Sequence, residues 1–95
     1  MHAAVRKYRV SDIDTLVQRV EEGFVERVKG IDGFVGYYVI DGGDGTAASV
    51  TVGESEEAVE ASTQRAAEWV QENAADLIEG APDVTAGEVR VRAER

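Results

Sequence analysis

The sequence predicts an α+β fold in which a four-stranded antiparallel sheet carries two helices on one face. Its 95 residues are enough for one hydrophobic core and too few for two. Apolar residues recur at helical spacing in two segments, and short β-prone segments precede, separate and follow them. The order β-α-β-β-α-β over residues 1–95 is that of a single ferredoxin-like sandwich.

The first half contains a strand, a helix and a second strand. Residues 3–10 are β-prone, and Ser11 is the predicted N-cap of the helix, with Asp14 three residues later as in a capping box. The helix has one apolar stripe, formed by Ile13, Leu16, Val17, Val20, Phe24 and Val28. The glycines of residues 30–33 (GIDG) end it, and the aromatic and β-branched residues 34–40 (FVGYYVI) form the next strand.

The second half contains a strand, a helix and a last strand. Residues 46–52 (TAASVTV) alternate as a strand, and Ser55 is the predicted N-cap of the second helix. The buried stripe of that helix is formed by Val59, Ala66, Val70 and Leu77, with Trp69 and Asn73 alongside. We expect residues 80–82 (GAP) to end the helix and residues 87–93 (GEVRVRA) to form the last strand, because valine alternates there with charged residues.

Residues 42–46 (GGDGT) match a phosphate-site motif of NAD kinases and diacylglycerol kinases. Such a motif requires backbone N–H groups in front of a helix N-terminus, whereas β-prone segments lie on both sides here. Asp41 and Asp44 would repel phosphate, and either kinase needs a much longer chain. The motif is therefore predicted to be a hairpin turn between two strands.

Composition and charge exclude several classes of function. The formal net charge of −9 disfavours nucleic acid as a partner. The chain has no cysteine and a single histidine, His2, so no metal site is predicted. No signal peptide or membrane-length apolar segment occurs, and we expect a soluble cytoplasmic protein. Abundant acids with only two lysines resemble a salt-adapted proteome, and an acidic protein from a GC-rich genome is the alternative.

Several local motifs resemble the antibiotic-biosynthesis-monooxygenase-like family of dimeric α/β-barrel proteins. The matching segments are RKYRV (6–10), GIDGFVGYYVID (30–41), VGESEEAVEAS (52–62), WVQEN (69–73) and GEV (87–89). The resemblance covers nearly the whole chain. It implies a homodimer whose sheets pack face to face into a barrel, with a pocket between sheet and helices. The family includes cofactor-free monooxygenases of polyketide-like phenols, haem-degrading enzymes and proteins of unknown activity.

The second strand supports a homodimer independently. It is apolar on both faces, with Phe34, Tyr38 and Ile40 alternating with Val35, Tyr37 and Val39. A strand buried on both sides needs a second cover, and a second copy of the chain is the simplest one. The arginines of the predicted last strand, Arg90 and Arg92, would then lie at the barrel rim or pair with acids of the partner.

The candidate catalytic residues are Trp69, Asn73 and Tyr37. Trp69 and Asn73 lie one helical turn apart, so together they can hold an aromatic substrate and an oxyanion. The structural alternative is that Trp69 anchors the core and Asn73 marks the edge of the buried stripe. Because Tyr37 and Tyr38 are adjacent on a strand, only one of them can line a given pocket.

The candidate substrate-binding residues are Tyr8, Tyr38, Arg6 and Arg65. The tyrosines provide aromatic walls, with ordinary packing as the alternative. Arg6 and Arg9 point to opposite faces of the first strand, and either can bind an anionic substrate or form ion pairs. His2 is a candidate proton acceptor near the start of the chain, where a mobile side chain without a catalytic role is the alternative.

Two functions stay open from the sequence. One is cofactor-independent oxidation of an aromatic or polyketide-type molecule by a monooxygenase-like enzyme. The other is a non-catalytic small-molecule-binding or stress-related homodimer, with a purely structural dimer as a third alternative. The haem-degrading branch uses an asparagine on the first strand and a tryptophan and a histidine on the second helix. Only Trp69 matches that set, so haem degradation is not expected.

Overall fold

The computed structural model describes residues 1–95 and contains four strands and two helical regions. The strands are β1 (His2–Val10), β2 (Phe34–Asp41), β3 (Thr46–Gly53) and β4 (Ile78–Glu88); the first helix occupies residues 13–29, and the second is Glu56–Asn73. The strands form one antiparallel sheet in the order β2-β3-β1-β4. The predicted ferredoxin-like α+β sandwich is confirmed. Neither helix combines the length and hydropathy needed to cross a membrane.

The two faces of the sheet differ in polarity. On β1, Ala4, Arg6 and Val10 are buried beneath the helices, whereas Lys7 and Arg9 are exposed. On β3, the buried face carries Ala47, Ser49 and Thr51, and the larger apolar residues Val50 and Val52 lie on the opposite, open face. The helices therefore cover the more polar side of β3, and the valines Val50 and Val52 lie on the side away from the helices.

The first helix begins at a different cap from the predicted one. Asp12 is the N-cap, and its carboxylate accepts hydrogen bonds from the Thr15 backbone N–H (3.1 Å) and hydroxyl (2.8 Å). Ser11, directly after β1, does not cap the helix because its polar groups are bonded to the residue before β4. Its backbone N–H donates to the Leu77 carbonyl at 2.9 Å, and its hydroxyl donates to the same oxygen at 3.4 Å.

The middle of the first helix widens into a π-helical turn. The α-helical segments Ile13–Arg19 and Val25–Lys29 flank the turn Val20–Phe24. A π turn inserts an extra residue and rotates the side chains that follow, and such turns are frequent at functional sites. Here the turn ends on Phe24, whose ring is buried in the core.

The end of the second helix was predicted wrongly. It ends at Asn73, and residues 80–82 lie inside β4. β4 pairs with β1 from Val10–Ile78 to His2–Glu88, and its register shifts between the partners of Lys7 and Arg9. Gly80, with φ of 70°, and Pro82, which lacks an N–H, lie in this irregularity. Both residues are tolerated there because β4 is an edge strand with a bulge.

The predicted last strand, residues 87–93, is also wrong. Only Gly87 and Glu88 belong to β4, and residues 89–95 have no regular secondary structure. Val89 makes one further backbone hydrogen bond, to the Met1 carbonyl at 2.9 Å, and Val91 is 88% exposed. The alternation of valine and arginine therefore continues past the end of β1, where no strand remains to pair with it.

The hairpin prediction for the GGDGT motif is confirmed. Residues 42–45 connect the antiparallel strands β2 and β3. The Gly42 N–H donates to the Thr46 carbonyl, and the Gly43 N–H donates to the Asp41 carboxylate, each at 2.8 Å. Gly43 and Gly45 have φ of 83° and 82°, a conformation that favours glycine. The glycines close a turn, and no helix follows to receive a phosphate.

The cap of the second helix gives a test of the fold. The Ser55 hydroxyl accepts a hydrogen bond from the Ala58 N–H at 3.2 Å. Replacing Ser55 with alanine removes this acceptor, and we expect the free energy of unfolding to fall by about 1 kcal/mol. Urea denaturation would measure the change. Ser55→Asp keeps an acceptor oxygen and should lose much less stability; equal losses in the two variants would contradict the capping role.

Candidate functional site

A small cavity lies between the sheet and both helices. Its volume is about 30 Å³, and 12 of its 13 lining residues are apolar or aromatic, with Ser49 as the exception. Tyr8, Phe24, Tyr37 and Trp69 supply its aromatic surface. That volume holds about two water molecules. The aromatic side chains therefore nearly fill the space in which a pocket was predicted.

Three of these rings form a row across the core. The ring centroids of Trp69 and Phe24 are 5.7 Å apart, and those of Phe24 and Tyr37 are 5.3 Å apart. Both pairs are tilted, at 56° and 60°, which is a favourable arrangement for aromatic rings. Trp69 is 3% exposed. The π turn places Phe24 between the second helix and β2, so that the row forms one wall of the cavity.

Gly23 permits the close approach of Trp69 to the first helix. A Cβ atom built on Gly23 would lie 2.9 Å from the indole Nε1, which is closer than real side chains approach. This glycine was not among the residues predicted to shape the site. Its only sequence signal is a glycine inside an otherwise helical segment, which often has a packing reason.

Tyr37 is the tyrosine of the adjacent pair that lines the cavity. Burial raises the pKa of Tyr37 to about 12; the Arg6 charge acts in the opposite direction, and Tyr8 adds to the increase. The phenol is therefore neutral at neutral pH, so that it can donate a hydrogen bond but does not act as a base. Tyr38 lies on the open face of the sheet and is 60% exposed.

Arg6 is a buried cation surrounded by hydroxyl groups. The side chain is 1% exposed. Its Nε donates to Ser49 Oγ (3.0 Å), its Nη2 to Thr51 Oγ1 (2.8 Å), and its Nη1 to Ser62 Oγ (3.3 Å) and Thr63 Oγ1 (3.0 Å). The three ion pairs of the protein involve Arg19, Arg27 and Arg92, and Arg6 has no carboxylate partner. A buried charge without a counter-charge is costly, even with hydrogen bonds.

A larger groove lies beside the cavity, between the second helix and β4. Its volume is about 270 Å³, and its lining includes Arg6, Thr63 and Gln71. Tyr8, Val70 and Ile78 line both the groove and the cavity and so separate the two. The sequence could not indicate this groove because the residues of β4 that form it were predicted to be a helix end and a loop.

Besides Tyr38, two further predicted site residues lie outside the cavity and the groove. Asn73 is exposed, and its side-chain amide donates to the Trp69 carbonyl of the same helix at 3.0 Å. Arg65 is exposed, and its Nη1 donates to the Arg27 carbonyl at 2.8 Å. The structure therefore brings together Trp69, Tyr37, Tyr8 and Arg6, and places Asn73, Arg65 and Tyr38 elsewhere.

The remaining titratable candidates are also distant from the aromatic row. His2 lies at the start of β1 in a surface depression that it shares with Glu56, Glu60 and Glu88. Arg9 is exposed on the open face. No group of three or more histidine, aspartate or glutamate side chains is arranged to hold a metal ion.

Comparison with known proteins relates the chain to others by structure alone. No protein-family model and no curated protein sequence matches it. A protein of unknown function from Nitrosomonas europaea is similar over 99% of this chain and 93% of its own, with a TM-score of 0.79 and 15% identity. A monooxygenase from the gene ActVA-Orf6 of Streptomyces coelicolor, in complex with nanaomycin D, is also similar. The similarity covers 99% of this chain and 91% of the monooxygenase, with a TM-score of 0.78 and 22% identity.

A dimeric ferredoxin-like protein from an uncultured marine organism is also similar. It has 9% identity and a TM-score of 0.73, over 99% of this chain and 98% of that protein. The fold is thus the ferredoxin-like fold found in antibiotic-biosynthesis-monooxygenase-like proteins, as the sequence resemblance predicted.

The contact between Gly23 and Trp69 can be tested with the indole as its own reporter, because the chain has one tryptophan. In Gly23→Ala the new methyl group must displace the indole. We expect an altered emission maximum and near-ultraviolet circular dichroism, and a free energy of unfolding lower by about 1–3 kcal/mol. Gly87→Ala is the control, since a Cβ there meets nothing within 4 Å. Unchanged indole spectra in Gly23→Ala would contradict the close approach.

Proposed function

We propose that this protein is a monooxygenase-like homodimer that oxidises an aromatic or polyketide-type small molecule without a cofactor. The observation that carries the proposal is the aromatic cavity between sheet and helices, formed by Tyr8, Phe24, Tyr37 and Trp69. The fold shared with a monooxygenase bound to nanaomycin D supports it. In such a reaction a phenol takes up one oxygen atom as a quinone carbonyl. The second oxygen atom leaves as water with the hydrogens and electrons that the substrate gives up.

The residues of the cavity have separate roles in this proposal. Trp69 and Phe24 hold the ring of the substrate by stacking and by excluding water. Tyr37, whose phenol is neutral at neutral pH, donates a hydrogen bond to a substrate oxygen that becomes more negative as the ring is oxidised. Arg6 stabilises the same negative charge from the neighbouring position.

The cavity must open before it can hold such a molecule, since its volume is about 30 Å³. The separating residues Tyr8, Val70 and Ile78 are each only partly buried, and the groove of about 270 Å³ lies directly behind them. Rotation of Tyr8 would join the two spaces. We therefore propose that the groove is the entrance and that Tyr8 is its movable wall.

A non-catalytic small-molecule-binding or stress-related homodimer is the second candidate. Two observations favour it: the cavity is small, and no base faces it because Tyr37 is neutral and His2 lies elsewhere. In this alternative the same residues bind a ligand, and no oxygen is consumed.

The homodimer is proposed to form through the open face of the sheet. Tyr38, Ile40, Val50 and Val52 form an apolar surface there, with Tyr38 at 60% and Ile40 at 53% exposure. An apolar sheet face of this kind requires a cover. A second copy fits because a two-fold axis brings the same surface onto itself. The structural similarity to a dimeric ferredoxin-like protein supports a dimer.

Oxygen uptake tests the catalytic proposal. With a panel of naphthols and hydroquinones, we expect the wild-type protein to consume one O₂ for each quinone formed. Trp69→Phe keeps an aromatic ring of smaller area and should lower kcat/KM about tenfold or more, as expected when substrate positioning is impaired. Tyr37→Phe removes the hydroxyl alone and should lower kcat by a similar factor.

Asn73→Ala decides between the sequence-based and the structure-based assignment of that residue. Because the Asn73 amide is bonded to the Trp69 carbonyl outside the cavity, we expect kcat/KM to change by less than about twofold. A decrease in kcat/KM as large as that of Trp69→Phe would instead support the sequence-based assignment of Asn73 as a catalytic residue. Absence of turnover across the panel, with retained ligand binding, would favour the second candidate function.

The dimer surface can be tested by adding a charge to it. Ile40→Glu places a carboxylate within the proposed interface, on the edge strand β2, and we expect a dimer-to-monomer change in sedimentation velocity. Ala75→Glu adds the same charge at an exposed position after the second helix and should leave the dimer intact. The runs need high salt, since each chain carries a net charge of −9. A wild-type monomer under these conditions would contradict the proposed homodimer.

A further inference from the structure

The guanidinium of Arg6 has one N–H group left after its contacts with the protein are counted. Arginine carries five N–H donors, and a guanidinium keeps its charge at all ordinary pH values. The four hydrogen bonds to Ser49, Thr51, Ser62 and Thr63 use one donor on Nε, two on Nη1 and one on Nη2. The remaining donor is on Nη2. The surrounding hydroxyls orient the group but supply no negative charge.

This cation lies at the junction of the two spaces in the protein. Arg6 and Thr63 line the groove of about 270 Å³, whereas Ser49, which accepts from Arg6 Nε, lines the aromatic cavity. Tyr8 lines both spaces. An aromatic molecule that enters through the groove therefore meets the cation and the aromatic walls together.

We propose that Arg6 and its four hydroxyl partners receive the ionised oxygen of an aromatic ligand, a phenolate, enolate or carboxylate attached to the ring system. The inference rests on the proposed function, since it assigns the substrate class of the same site. An anion completes the buried cation by supplying both the missing acceptor and the missing counter-charge. A neutral aromatic molecule of the same shape supplies neither.

Because the whole molecule is negatively charged, a preference for an anionic over a neutral ligand would point to a local cation. The net charge of −9 repels anions at long range. Any preference for an anion must therefore come from a local cation. The other cations sit mainly at the surface, where salt screens them, and a buried contact is screened much less.

A matched pair of probes tests the inference. 2-Hydroxy-1,4-naphthoquinone is an anion at neutral pH, and its 2-methoxy ether has nearly the same shape and no ionisable group. Equilibrium dialysis under nitrogen measures both affinities without turnover. We expect the anion to bind about tenfold or more tightly than the ether, as one hydrogen bond to a charged group predicts. We also expect its affinity to stay constant or rise as salt is added.

Variants assign the preference to Arg6. Arg6→Gln removes the charge and keeps hydrogen-bonding groups for the hydroxyls, and the anion preference should fall to about twofold or less. Lys29→Gln removes the same charge from an exposed position on the first helix and should leave the preference unchanged. A preference that survives in Arg6→Gln, or one that disappears in Lys29→Gln, overturns the assignment.

A measurement on the wild-type protein alone covers the case in which Arg6→Gln does not fold. The hydroxyquinone changes colour on ionisation, so its pKa in the bound state can be read by absorbance. Contact with the guanidinium favours the anion and must lower the bound pKa. A bound pKa that is unchanged or raised, or equal affinities for the two probes, overturns the inference. Failure of oxygen uptake alone would leave it standing, because the dialysis and the titration need no turnover.

Discussion

The hydrogen-bonded burial of the Arg6 guanidinium sets the relation between the sheet and the second helix. Ser49 and Thr51 come from β3, and Ser62 and Thr63 come from the helix, so one side chain ties three elements together. Sliding the helix by a turn would leave buried N–H groups without acceptors, which costs more than the hydrogen bonds themselves contribute. Trp69 lies two turns after Ser62 on the same helical face. The position of Trp69 against Phe24 is therefore fixed by the hydrogen bonds between Arg6 and the second helix as well as by the packing of the indole itself.

The same arrangement explains the unusual distribution of polarity across the sheet. Since hydroxyls are needed around Arg6, the covered face of β3 carries serine and threonine, and its larger apolar residues, Val50 and Val52, face the other way. Most of the apolar core under the helices comes from the helices themselves and from the aromatic row. The larger apolar residues of β3 therefore lie on the open face and not on the covered face. A polar anchor on one side of the sheet and an apolar open face on the other are thus two results of one pattern.

Local sequence patterns were sufficient for most of the fold and for only part of the site. Helical periodicity, the Ser55 cap and the β-prone segments located both helices and three strands, and the flanking strands identified the GGDGT hairpin correctly. The prediction of the last strand was wrong because Gly80 and Pro82 have the same local signature whether they end a helix or occupy a bulge. Only the pairing with β1 distinguishes the two cases. The role of Arg6 could not be derived because its partners lie 43 to 57 residues away in the sequence. Asn73 does not line the cavity with Trp69, since its side-chain amide donates to the Trp69 carbonyl of the same helix.

The electrostatics of the site indicate what kind of molecule it can use. The groove is lined by the Arg6 cation and the cavity by the neutral Tyr37 phenol, and no carboxylate or histidine lines either space. Such a site stabilises an anion but has no group that removes a proton to create one. In the proposed function, a ligand therefore arrives already ionised or releases its proton to solvent as it enters through the groove. Electron-rich anions are also the form in which phenols and enols react most readily with oxygen. Phenols and enols that ionise near neutral pH meet both requirements directly, and less acidic phenols meet them once they have released a proton to solvent.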